Sequence, residues 1–223
     1  TGYNPALQAA KKIGDLVSET FGNKEGQMNI VENGPHKGMA SGSILEPMVY
    51  LYKYTGEEKY LDFCEYILKA FESENGPKIV SELTEGSGMV TNVGNAKGYE
   101  MMSCIIGMIQ FYKLTGRKNL LEAALIAWED IAKNRLYITG TATEFEHFQE
   151  KGQLNAGEEH HMGEGCVTAH WMYLTKELFK LRGEQKYIDE ISKSLYNHLL
   201  AAQHPVNGNI VYYTALQDAK WYM

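Results

Sequence analysis

The chain is poor in cysteine, poor in basic charge and free of any apolar run long enough to cross a membrane. Each shortage excludes a class of protein. Three cysteines, Cys64, Cys104 and Cys166, are odd in number and widely spaced, which is not the pattern of a disulfide framework. Cys64 and Cys104 sit in apolar helical runs and read as buried thiols, which favours a reducing compartment. A formal net charge of −7 argues against nucleic acid and anionic membrane surfaces as partners. No apolar run approaches a transmembrane span, so neither nucleic acid nor a membrane is expected as a partner. The chain opens on Thr1 inside a repeat motif, so cytoplasmic and periplasmic or secreted settings are equally compatible with it.

What is present fits a globular catalytic or binding domain. Of 223 residues, 44% are hydrophobic and 22% charged, ordinary values for a domain with a substantial core. Aromatics are plentiful, with 15 tyrosines. Aromatic rings suit a carbohydrate cleft, because they stack on sugar C–H faces, and they also suit plain helix packing.

One pattern recurs along the chain. Tyr54-Thr55-Gly56 precedes Lys59-Tyr60-Leu61-Asp62, Leu114-Thr115-Gly116 precedes Asn119-Leu120-Leu121-Glu122, and Leu181-Arg182-Gly183 precedes Lys186-Tyr187-Ile188-Asp189. Thr1-Gly2-Tyr3 begins a fourth copy. The glycines lie about 54, 60 and 67 residues apart, the mark of a repeat architecture. In each unit an amphipathic helix runs up to a glycine that permits a left-handed turn, and a second helix starts within a few residues. The expected pairs are 44–54 with a helix from Tyr60, 97–115 with 118–134, and 165–182 with 185–203. A lone hairpin cannot bury both of its apolar faces, so the hairpins must stack. The long connections, roughly 22–38, 74–96 and 137–162, fall on the opposite rim, where function is expected. The predicted fold is all-α: a toroid of inner and outer helices, with a solenoid of helix pairs as the alternative. Asn209 to Thr214 is β-branched and aromatic and is expected to form a strand.

Candidate chemistry lies at the starts of the inner helices and in the connections that feed them. Glu164 and Cys166 are two good zinc donors at a helix start. They read equally as an N-terminal helix carboxylate beside a buried thiol. His160 and His161 lie nearby in a polar loop. Glu144 and Glu146 lie in the 137–162 connection, where paired carboxylates suit general acid–base work, although spacing alone favours an exposed acidic loop. Lys97, Tyr99 and Glu100 are polar residues at the mouth of an apolar helix. Glu100 there is explained by helix-dipole pairing or by a hydrogen bond to substrate. His36 precedes the first complete inner helix.

Taken in order, Tyr137-Ile138-Thr139-Gly140, Glu164-x-Cys166-Val167-Thr168, Lys186-Tyr187-Ile188-Asp189 and Ser194-Leu195-Tyr196-Asn197 resemble glycoside hydrolase family 127, the β-L-arabinofuranosidase-like enzymes. The helix start from Lys97 to Met102 and the hairpin repeats resemble the same family. The resemblance implies an (α/α)6 barrel, of which residues 1–223 would form a single partial domain. About four of six hairpins would be present, without the N-terminal hairpins and the C-terminal part.

The resemblance also implies a retaining glycosidase of zinc-thiolate type that releases β-L-arabinofuranose-like sugars from a carbohydrate substrate. Glu146, in a Glu-x-Phe context with Phe148, would be the general acid/base, with Glu144 the second choice. Glu164 and Cys166 would be zinc ligands. His36, Lys97, Tyr99 and Glu100 would bind the sugar. The family's nucleophile belongs to an adjacent cysteine pair that no part of this sequence contains, and Lys97 stands where a histidine is usual. The expectation is therefore a piece of a longer enzyme, inactive alone and prone to self-association through uncovered helix edges. Two rivals stand beside it: a non-catalytic glycan- or protein-binding repeat module, and another (α/α)6 carbohydrate-active enzyme.

Overall fold

The computed structural model describes residues 2–151 and 161–214. Nine α-helices are seen among them: α1 (Asn4–Thr20), α2 (Met39–Gly42), α3 (Leu45–Thr55), α4 (Glu58–Phe71), α5 (Ile79–Thr84), α6 (Gly98–Thr115), α7 (Lys118–Asp130), α8 (Gly165–Arg182) and α9 (Gln185–Ser194). Helices α3/α4, α6/α7 and α8/α9 are the three hairpins of the repeat. Each is closed in the same way. Gly56, Gly116 and Gly183 take φ of 70°, 73° and 67°, and each donates its N–H back into the helix it ends, to Tyr52, Tyr112 and Phe179. A left-handed residue there costs a Cβ-bearing side chain energy and glycine almost nothing. In the first two hairpins the preceding threonine also bonds back, Thr55 to Leu51 O and Thr115 to Phe111 O.

Four residues past each glycine comes the first buried anchor of the outer helix: Tyr60, Leu120 and Tyr187. Helices α3, α6 and α8 lie side by side as an inner row, and α4, α7 and α9 back them. Helix α6 has neighbours on both flanks as well as behind, so it is buried along nearly its whole length from Met101 to Phe111. Gly107 lets α3 approach it, since a Cβ there would meet Leu45 at 2.9 Å. Helix α1 follows Gly2 as α4 follows Gly56, and it packs on α3 and α4.

Three local expectations need correction. The 74–96 connection is partly ordered into α5, which packs on α7. Helices α7 and α9 do not run to 134 and 203 as α-helices. They end in π-helical turns, Ile131–Arg135 and Leu195–Leu199. Among the described residues Asn209 to Thr214 makes no strand, and no sheet is present. This segment makes isolated bridges, Gln203 with Ile210 and Tyr213 with Glu164, because its neighbour is the entry to a helix rather than another extended edge. No described helix is long and apolar enough to cross a membrane.

Candidate active site

The hairpin glycines occupy one end of the inner row. At the other end three helix starts converge: Gly38 ahead of α2, Lys97 ahead of α6 and Glu164 ahead of α8. Both Lys97 and Glu164 are N-cap residues with extended backbones (ψ 113° and 140°). Their positions turn the side chains out of the helix and into the space between the starts. That space is a cavity of about 280 Å³. Lys97, Tyr99 and Glu100 line it from α6, Glu164 and Cys166 from α8, and Glu146 and Tyr212 close it from the connections.

Glu164 is 1% exposed. Its Oε1 accepts a hydrogen bond from Tyr212 Oη at 3.1 Å, its Oε2 one from Thr143 Oγ1 at 3.4 Å, and Cys166 Sγ stands 3.7 Å from Oε1. Burial pushes the Glu164 carboxyl up, against the opposing pull of Tyr212 and the Lys97 charge. Burial likewise pushes the Cys166 thiol up, with Tyr212 Oη 3.1 Å away pulling the other way.

Glu146 sits opposite. Its carboxylate pairs with the buried ammonium of Lys97 and accepts a long contact of 3.5 Å from Tyr213 Oη. The segment that carries it runs beside the start of α6. Gly98 N–H donates to Glu146 O, and Phe148 N–H to Ala96 O, both at 2.9 Å. Arg135 ties down the far side of the same connection by donating to Gln149 O at 2.9 Å.

Glu100 leaves Oε2 buried without a hydrogen-bond partner among the described residues, an acceptor available to a bound hydroxyl. Tyr99 packs edge-on against His170, ring centroids 4.2 Å apart.

Six of the residues named from sequence thus share one cavity, and His36, Glu144 and His161 do not line it. His36 stands just behind, with Nε2 3.9 Å from Glu100 Oε1 and Nδ1 3.1 Å from Asn95 Nδ2. Burial, first, holds its pKa below the usual value despite the Glu100 charge. Glu144 is a turn residue whose N–H donates to His147 O at 3.0 Å. Its charge, after burial, helps push the Tyr137 phenol up to about 12. His160 lies outside the described residues. His161 packs edge-on against Tyr213 at 4.8 Å.

Residues 1–222 match the family model described as "Beta-L-arabinofuranosidase, GH127 catalytic domain". The chain belongs to the GH127 catalytic-domain family. It is similar to the non-reducing end β-L-arabinofuranosidase of Bifidobacterium longum subsp. longum, at 24% identity over 90% of this chain and 33% of that protein. It also superposes on a GH127 β-arabinofuranosidase (TM-score 0.74, 22% identity, 99% of this chain and 34% of the other). A GH127 β-L-arabinofuranosidase from Geobacillus stearothermophilus T6 gives a TM-score of 0.73 at 20% identity, over 98% of this chain and 36% of the other. The structural likeness is one of fold. The chain spans about a third of the length of these GH127 proteins.

Zinc is the metal the GH127 resemblance implies. Glu164 and Cys166 face the same cavity and are of the right donor types, but zinc sites take three or four protein ligands. Among the described residues no group of three or more His, Cys, Asp or Glu side chains is placed to hold a metal ion. The pair fits as half of a site, and Tyr212 Oη donates to Glu164 Oε1.

Tyr212 is the residue that sequence reasoning missed. Its stretch was read for β-propensity alone. The adjacent tyrosines 212 and 213 are the available signal, but nothing in them indicates that the phenol of Tyr212 reaches Glu164.

Proposed function

We propose that this chain is the sugar-facing part of a retaining glycosidase that releases β-L-arabinofuranose-like units from the non-reducing ends of glycans. In this reading it works within a longer polypeptide, as a single incomplete (α/α)6 toroid. The observation that carries the proposal is the meeting of Glu146, from one connection, with Glu164 and Cys166, from the next helix start, around a single cavity. Its volume is at the small end of the roughly 300–1,000 Å³ typical of ligand pockets, a size for one sugar ring.

Glu146 is the proton-transferring group. It gives a proton to the leaving glycosidic oxygen and later takes one from water. Tyr99 offers a ring face, Lys97 and Glu100 offer polar contacts to hydroxyls, and His36 orients Glu100 from behind. Glu164 and Cys166 would hold zinc together with ligands from elsewhere in the polypeptide. Bound there, the metal would favour the thiolate form of a cysteine nucleophile. None of this chain's own cysteines is that nucleophile. Cys64 and Cys104 are buried in the helical core, and Cys166 is the ligand. Residues 1–223 by themselves are therefore inactive. They also self-associate, because α1 and α3 leave an apolar groove with Ile13 and Tyr54 exposed (59% and 74%).

The test is Glu146→Gln in the full-length protein, assayed on an aryl β-L-arabinofuranoside. Turnover should fall by about 10²- to 10⁴-fold with sugar binding kept, while Glu144→Gln stays close to wild type. Full turnover in Glu146→Gln would remove the assignment. Turnover by residues 1–223 alone would remove the claim that the nucleophile lies elsewhere. A protein that binds glycan and never turns it over is a binding module.

A further inference from the structure

The backbone carrying Glu146 is strained. Thr143, Phe145 and Glu146 take φ of 77°, 47° and 69°, a left-handed region that side chains with a Cβ avoid. No glycine relieves any of the three. Something outside the segment must hold it in place.

Residues 96–98 do so. Lys97 and His147 form an antiparallel bridge, flanked by the hydrogen bonds Gly98 N–H to Glu146 O and Phe148 N–H to Ala96 O. The two segments are pressed together, since a Cβ on Gly98 would meet Thr143 Cγ2 at 2.7 Å. Backbone pairing sets the segment's position but leaves the Glu146 side chain free to rotate. The Lys97 side chain supplies that last constraint. It is 6% exposed, pairs with the Glu146 carboxylate, and is the one cation among the described residues that line the cavity. The other charges there are the carboxyl groups of Glu100, Glu146 and Glu164. Without Lys97, the Glu146 carboxylate, whose side chain is already 38% exposed, faces like charges and gains by swinging further out to water.

We infer that Lys97 is the positioning residue for Glu146, pinning its carboxylate at the cavity wall and locking segment 143–148 in its strained form. This rests on the proposed role of Glu146 for its catalytic consequence but not for its structural one, so the two can fail separately.

The experiment compares Lys97→Met, which keeps length and loses charge, with Lys97→Arg, which keeps charge, both in the full-length protein. Hydrogen exchange of peptides covering 143–149 is followed against peptides from the middle of α6. In Lys97→Met the loop amides should exchange at least about tenfold faster while α6 is unchanged, and Lys97→Arg should restore protection. If Lys97→Met loosens the whole protein, Glu146→Gln, which breaks the same pair from the other side, must loosen 143–149 selectively. Unchanged loop exchange in Lys97→Met, or in Glu146→Gln where that variant decides, overturns the inference.

Kinetics supply the second arm. A carboxylate held loosely should cost kcat about 10- to 100-fold with KM little changed, and Lys97→Arg should recover most of it. A loss confined to KM would leave Lys97 a substrate contact alone and overturn the positioning role. A wild-type protein without glycosidase turnover, but with the exchange pattern above, would sink the proposed function and leave the clamp standing.

Discussion

Tyr212 and Glu164, 48 residues apart in the chain, meet at 3.1 Å, phenol to carboxylate. The phenol is pushed up by its burial first and then by Cys166 and the Glu164 charge. It therefore stays protonated and serves as the donor. Among the described residues Glu164 has no cation in bonding contact: Tyr212 Oη and, more weakly, the Cys166 thiol donate to Oε1, and Thr143 Oγ1 donates to Oε2.

Tyr212→Phe removes the stronger donor to Oε1 and leaves that buried oxygen only the weak Cys166 thiol. The expected cost is about 1–3 kcal/mol of stability, read as a lower urea midpoint at neutral pH with an unchanged slope. A variant as stable as wild type would mean that water or another group already satisfies this oxygen.

The three thiols should differ sharply in reactivity. Burial pushes Cys64 up to about 12 and Cys104 up as well, and both are 0% exposed. Cys166 is half-buried and opens on the cavity. The thiolate is the reactive form, so a disulfide reagent should label one thiol in the native protein and three after denaturation. Cys166→Ser should abolish the native signal. Labelling that persists in this variant would show that the core around Cys64 or Cys104 opens readily.

Glu177 predicts an acid-sensitive stability. Burial alone would push its carboxyl up, but hydrogen bonds from Lys113, Lys180 and Gln110 outweigh this and bring it down to about 2, from 4.5. A carboxyl depressed in the folded state adds stability above its unfolded pKa, and that stability is lost as pH falls through the folded one. Wild type should thus melt above Glu177→Gln at neutral pH, with the gap closing between 4.5 and about 2. Parallel melting curves across that window would contradict the sign.

Asp130 carries a larger share. Its two oxygens take Arg135 Nε and Nη2, both at 3.0 Å, and Oδ2 also accepts Val90 N–H at 2.9 Å. Arg135 is the residue that ties back Gln149, just after the Glu146 segment. Asp130→Ala takes away the buried partner of the Arg135 guanidinium, which keeps only the exposed Glu150 carboxylate at 3.3 Å, and should cost about 3–5 kcal/mol, visible as a large drop in melting temperature. A loss below about 1 kcal/mol, as for an exposed pair, would show that water reaches Arg135.

The hairpins were legible in the sequence because each is a local event. A glycine at 56, 116 or 183 ends one helix, and a large apolar residue four positions on anchors the next, with all the determining residues within one or two turns. The same locality placed Lys97, Tyr99 and Glu100 together, and Glu164 with Cys166, since each group spans less than one turn at a helix start. Burial of Cys64 and Cys104 followed from the apolar runs around them.

Contacts between segments distant in the chain were decided by tertiary structure alone. Spacing leaves Glu144 and Glu146 equivalent. The left-handed backbone at Phe145 and Glu146 separates them, and no glycine there announces it, because its cost is met by pairing with residues 96–98. The segment around Tyr212 had the composition of a strand, but backbone pairing needs a partner edge. The partner it meets is the start of α8, so Gly165 N–H bonds Tyr212 O at 2.9 Å and the phenol turns to Glu164. Sequence determined which side chains stand at each helix start. Only the packing of the inner row determined that these starts face one another.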